Sequence, residues 1–163
     1  MANIFNDIQG TFAKGKIFTK LIIANVAAFV IYWFLTLLFP AIREYFTIPG
    51  SFSELIYRPW TLVTYMFLHE SFWHLFWNMV ILYFGGRIFY DLLGSRRFIN
   101  TYFVGGLAGL FLFVLFYNIF PAFEEQRGAP ILGASASIMA IFVGVASYTP
   151  NYTVFLPLIG GVR

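Results

Sequence analysis

Long uncharged apolar runs alternate with short polar breaks along this chain. The first run, Leu21 to Ile42, carries no charged residue before Arg43. At ~1.5 Å rise per residue, Leu21 to Phe39 is long enough to cross a hydrocarbon core of ~30 Å, and Pro40 ends that helix. A second run opens near Phe72 and stays uncharged to Gly86. Arg87 and Asp91 lie in its last turns, where long side chains reach the headgroups. Gly94-Ser95 breaks the pattern, and a third run extends from Phe98 to about Phe120, closed by Pro121. The fourth uncharged stretch, Gly128 to Val162, exceeds one span. Thr149-Pro150-Asn151 divides it, because proline disfavours helical geometry in the residue before it. This predicts a fourth helix over about Ile131 to Tyr148 and the start of a fifth near Tyr152.

The intervening segment from Ala41 to Ser71 has a different character. It holds Glu44, Glu54 and Glu70, two arginines, Pro49-Gly50 and Pro59-Trp60, yet remains rich in Tyr, Phe and Trp. A structured loop anchored in the membrane interface by its rings fits this pattern. The predicted fold is all-α: a polytopic transmembrane bundle of four full spans plus a partial fifth. Residues 1–20 form a cytoplasmic segment and 21–163 the membrane domain, incomplete at its C-terminus.

Composition supports lipid as the solvent. The chain is 60% hydrophobic and only 10% charged, with mean hydropathy +0.79. A soluble domain carries about 25% charged residues. The absence of cysteine excludes disulfides and thiolate metal sites. The first apolar stretch is of full spanning length, so it is read as a retained helix rather than a cleaved signal. Lys14, Lys16 and Lys20 precede the first span, and Arg87, Arg96 and Arg97 flank the turn between the second and third. Glu44, Glu54, Glu70, Glu124 and Glu125 fall on the other side. The positive-inside rule then puts the N-terminus in the cytoplasm and the head of the fourth helix at the outer face. The expected location is the bacterial inner (plasma) membrane.

Two constellations carry candidate chemistry. His74 and Asn78 are four residues apart, so they share one helix face. Their simplest role is an interhelical hydrogen bond within the bundle. Gly133, Ser137, Ala140, Gly144 and Ser147 recur at spacings of four and three, a small-residue seam for close helix approach. Ser135 lies off that stripe in the first turn, where backbone N–H groups lack intrahelical partners and the helix dipole is positive. A developing oxyanion beside its hydroxyl would be stabilised there. Gly133, Ala134 and Ala136 leave room for a carbonyl to approach.

Taken with the order of spans, four stretches bear on identity. They are Pro59 to His69 (PWTLVTYMFLH), His74 to Asn78 (HLFWN), Gly94-Ser95, and Leu132-Gly133-Ala134-Ser135. Together they resemble the rhomboid intramembrane serine proteases, from the first span to the chain end. The resemblance implies acyl transfer through Ser135 as nucleophile. His74, Asn78 and the Ser135 N–H would form the oxyanion hole, with transmembrane proteins as substrates. It casts His69 and Trp60 as braces of the first loop and calls for no cofactor.

The chain departs from the family pattern at several positions. Ala136 stands where glycine commonly follows the serine, and its methyl is expected to crowd the substrate backbone. Met139 stands where a tyrosine often supports the base. The family's base is a histidine on its last core helix, but both histidines here, His69 and His74, precede Ser135. An unactivated serine is a weak nucleophile. His74 has no acid partner in sequence to orient it as a base. The chain therefore resembles the N-terminal two-thirds of a rhomboid core, inactive alone, whose full-length form would be the protease. The alternative is a non-catalytic rhomboid-like protein that binds transmembrane helices.

Other classes fit less well. A channel or transporter would place charges centrally in its spans. Nucleic-acid binding is disfavoured by the few basic residues, which sit at membrane flanks as topology signals. Two histidines without an acid make no metal site. Gly105, Gly106 and Gly109 are assigned to packing within the chain rather than to a homodimer.

Overall fold

The structure is a computed structural model that describes residues 15–49, 52–121, 131–151, 154–156 and 160–162. Helix α1 spans Ile17–Leu38. Three short helices follow in the loop: α2 (Ile42–Phe46), α3 (Phe52–Tyr57) and α4 (Thr61–Thr64), the last running into a 3-10 turn at Tyr65–Phe67. Helix α5 covers Phe72–Ile119 and is broken at Gly94 (φ 78°, ψ 173°) into two spanning arms. Glycine meets no steric penalty at that positive φ, which lets the chain reverse between the arms. Helix α6 spans Ser135–Tyr148. Strands β1 (Val154–Leu156) and β2 (Gly160–Val162) pair antiparallel.

The first three spans fall where hydropathy puts them, with α1 starting earlier, at Ile17. Its basic N-terminus is held: Lys16 Nζ lies 3.0 Å from Asp91 Oδ1 and 5.0 Å from the centre of the Tyr90 ring. A fourth helix of full spanning length is not seen among the described residues. Helix α6 has 14 residues, or ~21 Å at the α-helical rise. Residues 131–133 stay outside the helix because the loop captures them. Ile48 N–H bonds to Ile131 O at 3.3 Å, and Gly133 N–H to Tyr65 O at 2.8 Å. The partial fifth helix is also corrected, since the described residues beyond Asn151 pair as strands. Val154 favours extended structure and Pro157 cannot donate to a helix. Glu124 and Glu125 lie outside the described residues.

Helix α6 packs against both arms of α5. A β-carbon on Gly105 would meet the Ala140 methyl, and one on Gly144 would sit 2.8 Å from the Phe89 ring. The glycines of the second arm thus serve packing inside the chain. Three polar side chains within this core, Asn25, Tyr65 and Tyr102, are paired across elements. Tyr65 Oη donates to Gly106 O at 2.6 Å. Tyr102 Oη donates to Met66 O at 3.3 Å and accepts from Asn25 Nδ2 at 3.3 Å. Tyr102→Phe is expected to lower stability by about 1 kcal/mol, read from SDS-titration unfolding in detergent micelles. By contrast, the outward faces are apolar: Ile31, Phe34 and Leu37 on α1, and Val104 and Phe111 on α5, are exposed. That is the surface a bilayer solvates.

Candidate functional site

The loop and the seam together decide where Ser135 stands. Gly133 has φ 127°, a conformation L-residues rarely adopt. This turn sends the extended segment into α6 and places Ala134 fully buried at the N-cap, with Ser135 exposed in the first turn. Ala134 O accepts the first helical bond, from Ile138 N–H at 3.0 Å.

His74 comes to the same point from α5. Its backbone N–H is capped by Ser71 Oγ at 3.2 Å. A methyl group on Gly133 would lie 2.9 Å from His74 Nε2 and 3.9 Å from Ser135 Oγ. The imidazole and the hydroxyl therefore face one small space. No hydrogen bond joins them among the described residues. Asn78, one turn further along α5, is 7% exposed, and its Nδ2 has no hydrogen-bond partner. The arrangement offers donors to a carbonyl oxygen, and the serine hydroxyl is not hydrogen-bonded to the imidazole beside it.

Ala136 behaves differently from expectation. Its methyl faces Gly109, where an added β-carbon would lie only 2.6 Å away. The side chain is accommodated against the second arm of α5, so it packs within the bundle. Ser137 is likewise buried, against Gly106. Met139 is exposed on the Ser135 face of α6, together with Val143.

The loop supplies Tyr65, whose part the sequence did not disclose, beside His69 and Trp60, which the resemblance had cast as braces. Tyr65 holds Gly133 through its carbonyl and the second arm of α5 through its hydroxyl. Burial, with Tyr102 beside it, pushes the Tyr65 hydroxyl up to about 12, so it remains a donor at neutral pH. His69 is 1% exposed and packs edge-on against His74, ring centres 5.1 Å apart. Burial, then the neighbouring His74, hold its imidazole down to about 4, against a weaker upward pull from the Phe67 carbonyl. Trp60 Nε1 donates to Tyr45 O at 2.9 Å and its ring packs on Tyr45. The lone Asn25 in an otherwise apolar span was the available signal for the Tyr102 link.

The family model of the Rhomboid domain matches residues 57–158. The chain belongs to the rhomboid family. Among curated proteins it is similar to the presenilin-associated rhomboid-like protein, mitochondrial, of Bos taurus. The two are 29% identical over 86% of this chain and 36% of that protein. The Homo sapiens protein of the same name is 29% identical over 86% of this chain and 35% of its own length. The presenilin-associated rhomboid-like protein A, mitochondrial, of Danio rerio is 32% identical over 60% of this chain and 25% of that protein. The chain thus spans about a third of the length of the first two of these rhomboid relatives.

Two expectations are corrected by these matches. The serine-protease assignment is not carried over: the relatives are named as rhomboid-like proteins, with no peptidase activity in the name, and no hydrogen bond joins Ser135 to an imidazole among the described residues. The bacterial plasma membrane is not supported either, since the relatives are named as mitochondrial proteins of animals.

Proposed function

We propose that this chain is a non-catalytic rhomboid-like membrane protein that binds transmembrane helices at the notch headed by Ser135. The observation that carries this reading is the buried Asn78 Nδ2 donor without a partner, set one turn below His74 on α5. A buried unsatisfied amide costs about 1–3 kcal/mol. A ligand that brings a carbonyl oxygen recovers this. A transmembrane helix loosened by glycine or proline has such free carbonyls, whereas a regular helix does not. The first-turn N–H of Ser135 is a second donor of the same kind. Apolar side chains at Met139 and Val143 continue the notch along α6, a surface on which a helix can lie. The same donors suit a transition-state oxyanion, but acyl transfer also requires proton removal from Ser135. Among the described residues no hydrogen bond joins the Ser135 hydroxyl to an imidazole, and the relatives are named as rhomboid-like proteins.

The test uses the whole chain in nanodiscs with a fluorescent transmembrane peptide carrying a central Gly-Pro break. Asn78→Leu is expected to weaken binding about fivefold, in line with the worth of an intramembrane hydrogen bond. Ser135→Ala should leave binding unchanged. A fluorophosphonate probe should not label Ser135. Labelling that disappears in Ser135→Ala, or hydrolysis of the peptide by the chain, would overturn the non-catalytic reading.

A further inference from the structure

A second site lies on the other side of His69, between α1 and the loop. Tyr32, Trp33 and Thr36 on one face of α1, with Arg43, His69 and Glu70 of the loop, line a cavity of about 310 Å³. It has a specific chemical character. Arg43 Nη2 and Glu70 Oε1 are 3.6 Å apart, too far for a hydrogen bond, so both keep free donors and acceptors. Each is about half exposed or more. The Tyr32 hydroxyl and both His69 nitrogens are buried in the wall with no hydrogen-bond partner. With His69 neutral at pH 7, the lining carries one positive and one negative charge.

Beyond Tyr32 the surface changes. A hollow of about 350 Å³, walled by Ile31, Leu35, Phe46 and Phe67 among others, shares Tyr32 as its ridge and is almost wholly apolar. A polar, charge-balanced cavity therefore adjoins a hydrocarbon groove at the end of a spanning helix. That sequence of polarities is the one an amphiphile presents at the headgroup level.

We infer that the cavity between α1 and the loop is a binding site for a zwitterionic phospholipid headgroup, with an acyl chain in the groove beyond Tyr32. The phosphate sits against the Arg43 guanidinium, which offers it paired N–H donors. The Tyr32 hydroxyl and a His69 nitrogen gain the partner they lack on the same oxygens. The headgroup amine sits against Glu70, with the exposed Trp33 ring beside it as a cation–π face. An anionic lipid leaves Glu70 without its counter-ion and facing phosphate. A neutral glyceride leaves both charges unmatched. This cavity lies on the far side of His69 from the Ser135 notch; His69 packs against His74, and Leu132 of the segment leading into α6 completes the cavity wall.

Native mass spectrometry of the intact chain, from detergent doped with equal phosphatidylethanolamine, phosphatidylglycerol and diacylglycerol, tests the assignment. Phosphatidylethanolamine is expected to be retained about tenfold over the others, the order expected for a charge-assisted pair. Arg43→Gln should abolish that preference. Glu70→Gln should instead shift retention towards phosphatidylglycerol, a reversal that loss of folding cannot imitate. Tyr32→Phe should lower phosphatidylethanolamine retention a few-fold. Equal retention of the three lipids by the natural chain, or an unchanged preference in both Arg43→Gln and Glu70→Gln, would overturn it.

Discussion

Gly109→Ala is expected to destabilise the bundle by about 2–3 kcal/mol, although alanine is the better helix former. Intrinsic propensity favours alanine over glycine by about 1 kcal/mol in an exposed helix. Here the new methyl would start 2.6 Å from the Ala136 methyl, with the Ala136 α-carbon 3.7 Å away. Neither group can rotate out of the way, because both hang directly on helix backbones. The two helices must separate, and that loosens Ser137 against Gly106 and Ala140 against Gly105 in the same seam. Overpacking of this kind costs about 1–3 kcal/mol or more. The reciprocal change settles the mechanism. Ala136→Gly in the Gly109→Ala background should restore most of the loss, giving a coupling energy of about 2 kcal/mol in a double-mutant cycle. Unfolding by SDS titration reads all four proteins. Additive effects of the two changes would show that the methyls do not meet.

Acid should weaken this protein through His69. The imidazole takes a proton near 6.5 in the unfolded chain and only near 4 in the folded one. Its neutral form is the one that fits. Above pH 6.5 neither state is protonated, and the contribution is constant. Between pH 6.5 and 4 the unfolded chain binds the proton and the folded chain does not, so stability falls with pH across that window and levels off below it. At 1.36 kcal/mol per pKa unit the loss is about 3 kcal/mol at most. The groups around the ring are His74 from α5, Tyr32 from α1, and Glu70, Arg43 and the Phe67 carbonyl from the loop. His69→Phe removes the titrating group and both unpartnered nitrogens at similar volume. It should flatten the pH dependence between 6.5 and 4 while leaving stability at pH 7.5 similar or higher. An equally steep loss in His69→Phe would assign the acid response to carboxylates elsewhere.

Much of the architecture is legible from local pattern. Uncharged runs must lie in lipid, so the positions of α1 and the two arms of α5 follow from hydropathy and from the breakers Pro40, Gly94 and Pro121. The head of α6 is also legible in part. Small residues around Ser135 mark a place where backbones approach, and spacing alone puts His74 and Asn78 on one face. The departures have a common cause. Hydropathy cannot tell a helix from a non-helical apolar segment, so the pattern predicts helix from Ile131, where bonds from Ile48 and to Tyr65 hold Ile131 and Gly133 outside it. The same ambiguity hid the strand pair at 154–156 and 160–162. The place of the Ala136 methyl is not legible locally, because its neighbour across the helix interface, Gly109, is remote in sequence.

By itself, then, the sequence determines the solvent of this protein, the places where it crosses, and the residue types gathered at the head of the fourth helix. These depend on transfer free energy and helix period, which are properties of contiguous residues. Tertiary structure alone decides that Gly133 turns, that His69 is sealed against His74, that Asn78 keeps an unused donor, and that Arg43 and Glu70 share a cavity with Tyr32. Each of these depends on which distant backbone or side chain fills the space beside a polar atom, and in a low-dielectric interior that neighbour, rather than the residue's own identity, sets its protonation and its need for a partner.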